Sequence, residues 1–117
     1  MKVLIDQNPP LSPATLHILL ALAGGELHGY GIIQEVARHS EGRYRIGSGT
    51  LYDNLKKLLD SGLVKETLKA KSADGEERRY YSLTADGQGV LASEIGRLER
   101  VVSEANLRLA ARKPWQV

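Results

Sequence analysis

The residues best suited to chemistry lie in one stretch, SGTLYDNLKKLLDSGLVKE, which runs from Ser48 to Glu66. Its leucines recur at helical spacing, and hydroxyl, amide, carboxylate and ammonium groups lie between them. Five side chains lie opposite the leucines on a helical wheel: Thr50, Asp53, Lys56, Lys57 and Asp60. Tyr52 and Asn54 lie on the two flanks. Such groups hydrogen-bond to base edges and phosphates, so the pattern predicts a helix that enters a nucleic-acid groove.

A mixed polar face is also found on ordinary solvated helices, and Asp53 and Asp60 oppose phosphate binding at their own positions. The basic hairpin that follows the helix favours nucleic-acid binding over a merely solvated face. The predicted contacts are Ser48, Thr50, Tyr52, Asp53, Asn54, Lys56, Lys57, Lys69, Lys71, Arg78 and Arg79. The hairpin loop is acidic, with Asp74, Glu76 and Glu77. We therefore expect the basic stems of the hairpin, rather than its tip, to meet the DNA backbone.

Catalytic and metal-binding patterns are scarce. The chain has no cysteine, which excludes thiol catalysis and thiolate metal sites. The histidines His17, His28 and His39 lie on different predicted segments, and no His pair at helical spacing accompanies a glutamate. The motifs GSG and GYG are too short for phosphate loops. We predict that the protein is not an enzyme and holds no cofactor or metal ion.

The charge is unevenly distributed along the 117 residues. Residues 43 to 81 carry nine Lys and Arg against six Asp and Glu, whereas residues 1 to 42 carry two against four. This central positive excess indicates a polyanionic partner or a solvated basic surface. No apolar run approaches the roughly 18 residues of a membrane helix, and the N-terminus does not read as a signal peptide. We predict a cytoplasmic protein without a membrane partner.

Three helices are predicted before the hairpin. The first begins after an N-cap at Ser12 and ends at Gly24. Its expected inward residues are Leu16, Leu19, Leu20 and Ala23, with Ile18 and Leu22 widening the face. The second ends at Gly42, and its expected inward residues are Tyr30, Ile33, Val36 and Ala37. The early Gly29 and Gly31 suggest close packing at its start. The third is capped by Ser48, ends at Gly62 and buries Leu51, Leu55 and Leu58.

The segments LVKETLKA and RRYYSL predict two strands, and a long helix follows a cap at Thr84 and ends before Pro114. The fold class is mainly α with a β-hairpin, a winged helix-turn-helix plus a long C-terminal helix. We expect an N-terminal arm over residues 1–10, the winged helix-turn-helix over 11–83, the long helix over 84–113 and a tail over 114–117.

The long helix carries an apolar seam at heptad-like spacing. Its residues are Leu91, Ile95, Leu98, Val102, Ala105 and Leu109. A winged domain offers no long partner for such a seam, so we predict a homodimer. The alternative is that the seam packs along the first helix of its own domain, and both arrangements are compatible at different points along it.

The motifs LHGYGI, GTLYDNLKKLLDSGLV and ERRYYSLTADG together resemble the PadR family of transcriptional regulators, in order over Leu11 to Gly89. The resemblance implies a homodimeric winged-helix repressor on an inverted-repeat operator in double-stranded DNA. It also implies an effector, a small aromatic or multidrug-like molecule, in a pocket between the long helices with Trp115 or Tyr30 in its wall. The alternative function is a winged-helix protein-protein interaction module, which needs no basic hairpin stems.

Overall fold

A computed structural model gives the structure of residues 9–70 and 77–112. The elements are α1 (Pro13–Ala23), β1 (Leu27–His28), α2 (Gly29–His39), α3 (Ser48–Asp60), β2 (Val64–Ala70), β3 (Glu77–Leu83) and α4 (Ala85–Ala111). The three helices, the hairpin and the long helix follow the predicted order, so the predicted winged helix-turn-helix fold is confirmed. Part of the predicted arm (residues 1–8), the hairpin tip with Lys71 (residues 71–76) and residues 113–117 with Trp115 lie outside the described residues.

Local hydrogen bonds define where the helices begin. The Oγ of Ser12 accepts a hydrogen bond from the backbone N–H of Thr15 at 3.2 Å. The Oγ1 of Thr84 accepts a hydrogen bond from the backbone N–H of Gly87 at 3.0 Å. Both predicted N-caps are therefore confirmed. The predicted cap at Ser48 is wrong, because Gly47 occupies the N-cap position and Ser48 is the first helical residue. Gly62 follows α3 with a φ of 77°, a left-handed conformation that favours glycine.

The sheet has three antiparallel strands in the order β1-β3-β2. Val64 pairs with Leu83 and Leu68 with Arg79 in the hairpin, while Leu27 pairs with Tyr81 on the other side of β3. The prediction missed β1, because two residues are too few to show an alternating pattern. This short strand joins the start of α2 to the wing, as we call the hairpin of β2 and β3.

The core lies between α1, α2, α3 and the sheet. Its largest fully buried side chains are Ile18, Leu19, Ile32, Leu51, Leu55 and Val36. The predicted leucines of α3 are confirmed, but the inward prediction is wrong for Leu20, Ala23 and Tyr30, which are exposed. Almost every residue of α1 is apolar, so periodicity could not select the face that packs.

The long helix α4 has two environments. Its first half packs on α1 and β3, with Leu91 buried and Leu98 half-buried. Every residue from 99 to 112 is exposed, including Val102 at 57% and Leu109 at 67%. The seam therefore contacts its own domain at its start and is uncovered afterwards.

None of the helices in the described part of the chain is long and apolar enough to cross a membrane.

A pair of histidines joins α1 to α2. His17 Nδ1 and His39 Nε2 are 3.0 Å apart in a hydrogen bond, and the ring of Tyr44 stacks on His17 with a centroid distance of 4.3 Å. Burial, and then the positive charge of His39, lower the pKa of His17 from its usual 6.5. Glu35 and Arg38 are the neighbouring charged groups on α2.

This histidine pair predicts a loss of stability in acid. Because the folded-state pKa of His17 lies below its unfolded value, its contribution to the unfolding free energy is present above about pH 6.5 and is lost as the pH falls through the folded pKa. Urea unfolding should therefore give a lower midpoint at pH 5 than at pH 7. His17→Phe keeps a ring on Tyr44 without titrating, and should reduce this difference. An unchanged difference in His17→Phe would contradict the assignment.

Candidate nucleic-acid interface

The polar face of α3 lies on the protein surface. Leu51, Leu55 and Leu58 point into the core and fix the rotation of the helix. As a result the predicted groove-facing residues are all exposed, namely Ser48, Thr50, Asp53, Lys56, Lys57 and Asp60. A helix that is buried on one side and polar on the other has the form that enters the major groove of B-DNA.

The amide of Asn54 is engaged inside the protein. Thr15 Oγ1 donates to Asn54 Oδ1 at 3.1 Å, and Asn54 Nδ2 donates to the carbonyl oxygen of Thr50 at 2.8 Å. Ser12 Oγ donates in turn to Thr15 Oγ1 at 3.0 Å. This chain of hydrogen bonds ties the start of α1 to the first turn of α3. Asn54 therefore helps to hold α3 in place, and its predicted contact with DNA stays a prediction.

The two lysines of α3 differ in their surroundings. Lys56 Nζ lies 3.5 Å from Asp60 Oδ2 one turn later, which partly neutralises its charge. Lys57 is exposed and, in the described part of the chain, has no ion-pair partner. Lys57 is thus the stronger candidate for attraction to phosphate.

Tyr52 joins α3 to the start of α2. A Cβ atom added at Gly29 would lie 3.0 Å from the Cζ of Tyr52 and closer still to its hydroxyl oxygen. The phenol therefore lies directly on Gly29, which confirms the close packing predicted at the start of the second helix. The ring remains 49% exposed, so one side faces solvent next to the polar face of α3.

The two faces of the wing carry different basic residues. Arg79 lies in a groove with Tyr52 and Lys56 of α3, and its Nε is 3.5 Å from Glu66 Oε2. The adjacent Arg78 pairs with Lys69 in the strand register and lies on the other face. Lys69 Nζ donates to Glu26 Oε1, which raises the pKa of Lys69. Among the described wing residues, Arg79 lies beside the polar face of α3 and Lys69 is directed away from it.

A second cleft, of about 530 Å³, lies beside α3 and includes His28, which sequence reasoning did not assign to a site. His28 and the 64% exposed Tyr30 line it together with Tyr52, Arg78 and Arg79. Burial and the charge of Arg78 lower the pKa of His28, which favours the neutral ring. Its Nδ1 accepts from the N–H of Gly31, so Nε2 carries the proton and is a donor. Tyr30, which was predicted to line an effector pocket between the long helices, lines this cleft in the single subunit.

The loop between α2 and α3 adds two exposed cations, Arg43 and Arg45. The sequence signal that could have identified them is the motif RYR, which ends two residues before Gly47, the N-cap of α3. Across the described ranges 9–70 and 77–112, no group of three or more His, Asp or Glu side chains is placed to hold a metal ion.

Comparison with known proteins gives consistent matches. The model of the transcriptional regulator PadR-like family matches residues 18–93. The transcriptional regulator Rv3488 of Mycobacterium tuberculosis is 37% identical over 89 residues, which are 76% of this chain and 78% of that protein. The solved structure of a PadR-like transcriptional regulator from Bacillus cereus is similar, with a TM-score of 0.70 and 26% identity. The match covers 84% of this chain and 92% of the Bacillus cereus chain. The structure of Bacillus subtilis PadR in complex with operator DNA has a TM-score of 0.65 and 27% identity. The match covers 74% of this chain and 48% of the Bacillus subtilis chain.

Proposed function

The chain belongs to the PadR-like family of transcriptional regulators, and from this we propose that it is a ligand-responsive repressor that binds an inverted-repeat operator as a homodimer. The family is one of regulators rather than enzymes. We also propose that residues 11–83 form the DNA-binding unit and residues 84–113 the dimerisation helix. Further proposals are the cytoplasm as its location and a small aromatic or multidrug-like molecule as its effector.

The observation that carries DNA binding is the exposed polar face of α3 next to the wing. Bacillus subtilis PadR, which shares this fold, is described in complex with operator DNA. In the proposed complex Thr50 and Ser48 meet base edges or phosphates near the start of α3. Lys57, Arg79, Arg43 and the donors of the His28 cleft bind the phosphates on either side.

The uncovered half of α4 supports the homodimer. Two copies of α3 related by a two-fold axis should read half-sites about one helical turn apart, roughly 34 Å. Selection of binding sites from random duplexes tests this proposal directly, because selected sites should show dyad symmetry. A failure to bind any duplex at low salt would favour the alternative function, a winged-helix module for protein contacts.

Lys57→Ala and Arg79→Ala are expected to weaken binding to all sequences alike. Each removes about one phosphate contact, so the slope of log K against log salt should fall by roughly one unit per change. Fluorescence anisotropy with operator and random duplexes measures both quantities. Thr50→Ala is the matched control, since it should alter the preferred sequence and leave the salt slope unchanged. If Lys57→Ala changed the preferred DNA sequence and left the salt slope unchanged, the phosphate role of Lys57 would be contradicted.

A further inference from the structure

The face of the wing that is directed away from α3 is fixed by a chain of side-chain contacts. Lys69 Nζ donates to Glu26 Oε1 and lies 5.1 Å from the ring centroid of Tyr80. The Tyr80 ring meets His28 edge-on, with a centroid distance of 5.5 Å. His28 Nδ1 in turn accepts a hydrogen bond from the backbone N–H of Gly31 at the start of α2. The chain therefore joins the outer part of β2 to the rest of the subunit.

The outer part of the wing is a ribbon of two strands. Within the described residues, β1 pairs with β3 at Tyr80 and Tyr81 alone, so residues 77–79 of β3 pair only with β2. Two strands without a third are marginally stable in water. Of the ion pairs between described residues, Lys69–Glu26 is the one that joins the wing to another part of the subunit. The position of the ribbon therefore depends on this contact.

The same ribbon carries two of the basic residues proposed to bind phosphate. Arg78 lies opposite Lys69 in the strand register, and Arg79 follows it in the groove beside α3. Side chains that are held in place before binding lose less conformational entropy when the complex forms. An operator complex needs α3 and the wing in one fixed geometry, whereas binding to random DNA depends mainly on charge. A fixed wing therefore favours the operator over random DNA.

We infer that Glu26 is a positioning residue for operator recognition, because through Lys69 it holds the outer part of the wing in place relative to α3. Glu26 itself does not touch DNA in this arrangement, since a carboxylate is repelled by phosphate. Its effect is on specificity, the ratio of operator affinity to random-DNA affinity. The DNA step rests on the proposed function, whereas the anchoring of the wing by Glu26 does not.

Glu26→Ala in the intact protein tests both steps. The side chains of Lys69 and Glu26 are 49% and 29% exposed, and the loss of such an ion pair changes a local equilibrium by about two- to fivefold. Amide hydrogen exchange over residues 66–70 and 77–79, measured by mass spectrometry, should therefore be faster by about that factor. In fluorescence anisotropy with the selected operator and a random duplex, the affinity ratio should fall about three- to tenfold, because both subunits lose the anchor. Binding to the random duplex should strengthen, since each subunit has one carboxylate fewer.

Three further variants separate the anchor from the charge. Glu35→Ala removes a carboxylate that pairs with Arg38 on α2, so it should strengthen binding to both duplexes alike and leave exchange in the wing unchanged. Lys69→Met breaks the anchor without freeing a cation, so wing exchange and the affinity ratio should change as in Glu26→Ala. A lost phosphate contact at Lys69 would lower both affinities alike, so the ratio reports the anchor alone. Lys69→Arg keeps a cation for Glu26 and should retain the wild-type ratio.

Wild-type wing exchange in Glu26→Ala or Lys69→Met would overturn the inference. An unchanged affinity ratio in either variant would also overturn it, as would an equal loss of specificity in Glu35→Ala. The double variant of Glu26→Ala and Lys69→Met should have the ratio of Lys69→Met alone, because both changes remove one ion pair, and a further fall would contradict the anchor. Faster wing exchange in a protein that binds neither duplex would refute the proposed function and the DNA step, and would leave the anchoring of the wing established.

Discussion

A Val102→Glu protein is expected to be a folded monomer that binds operator DNA hardly better than random DNA. Val102 is 57% exposed in the single subunit, and so is most of α4 beyond it. The substitution therefore removes little from the core of the subunit. In the proposed dimer the new carboxylate would lie among apolar side chains of both long helices.

The expected effect on the dimer is large for two reasons. Burying a carboxylate without a partner costs several kcal/mol, and a two-fold axis places the change in both subunits. A monomer also loses the fixed spacing between two copies of α3. Binding to both half-sites at once raises the effective affinity by about 10²- to 10⁴-fold, and this gain would disappear.

Analytical ultracentrifugation, circular dichroism and operator titration measure the three parts of this expectation. Leu107→Glu is the matched control, because Leu107 is 65% exposed and lies about 140° around α4 from Val102. It should remain dimeric and bind operator. A dimeric Val102→Glu protein would place the dimer interface on another surface. Leu98, at the middle of the predicted seam, is a poorer probe since it is half-buried in its own subunit.

Sequence reasoning succeeded where periodicity was unambiguous. The leucines of α3 alternate with polar residues, so their spacing predicted both the buried face and the exposed one. The caps at Ser12 and Thr84 and the two wing strands were also predicted correctly. Each of these features depends on neighbours within a few residues, which is the information that a single sequence contains.

Features that depend on distant residues were not predictable. The hydrogen bond from Thr15 to Asn54 joins residues 39 positions apart, so the sequence did not show that this asparagine also ties α1 to α3. The ion pair between Lys69 and Glu26, which are 43 positions apart, was likewise not apparent from the sequence. The placement of every candidate site residue on DNA, Asn54 and Lys69 included, stays a prediction.

The motif TADGQGV contains two glycines, Gly87 and Gly89, and the sequence alone does not predict which of them the fold requires. Both Gly87 and Gly89 lie in the first turns of α4. A Cβ at Gly89 would have nothing within 4 Å, whereas a Cβ at Gly87 would overlap the carbonyl oxygen of Leu63 and lie 3.0 Å from its carbonyl carbon. The same carbonyl oxygen accepts from the N–H of Thr84 at 3.1 Å. The start of α4 is thus packed directly on backbone at the turn between α3 and β2.

Gly87→Ala is therefore expected to destabilise the protein by about 3 kcal/mol, because the obstacle is backbone and cannot rotate away. That loss is a large part of the roughly 5–15 kcal/mol that stabilises a typical domain. Gly89→Ala should instead stabilise it by up to about 1 kcal/mol, the gain of alanine over glycine in an open helical position. Urea unfolding at one protein concentration compares the two, since a dimer's stability depends on concentration. If both substitutions gave the same unfolding midpoint, the close approach of α4 to Leu63 would be excluded. A destabilised Gly87→Ala protein should also bind operator more weakly, because the contact at Leu63 sets how α4 leaves the wing and hence, in the proposed dimer, how far apart the two copies of α3 lie.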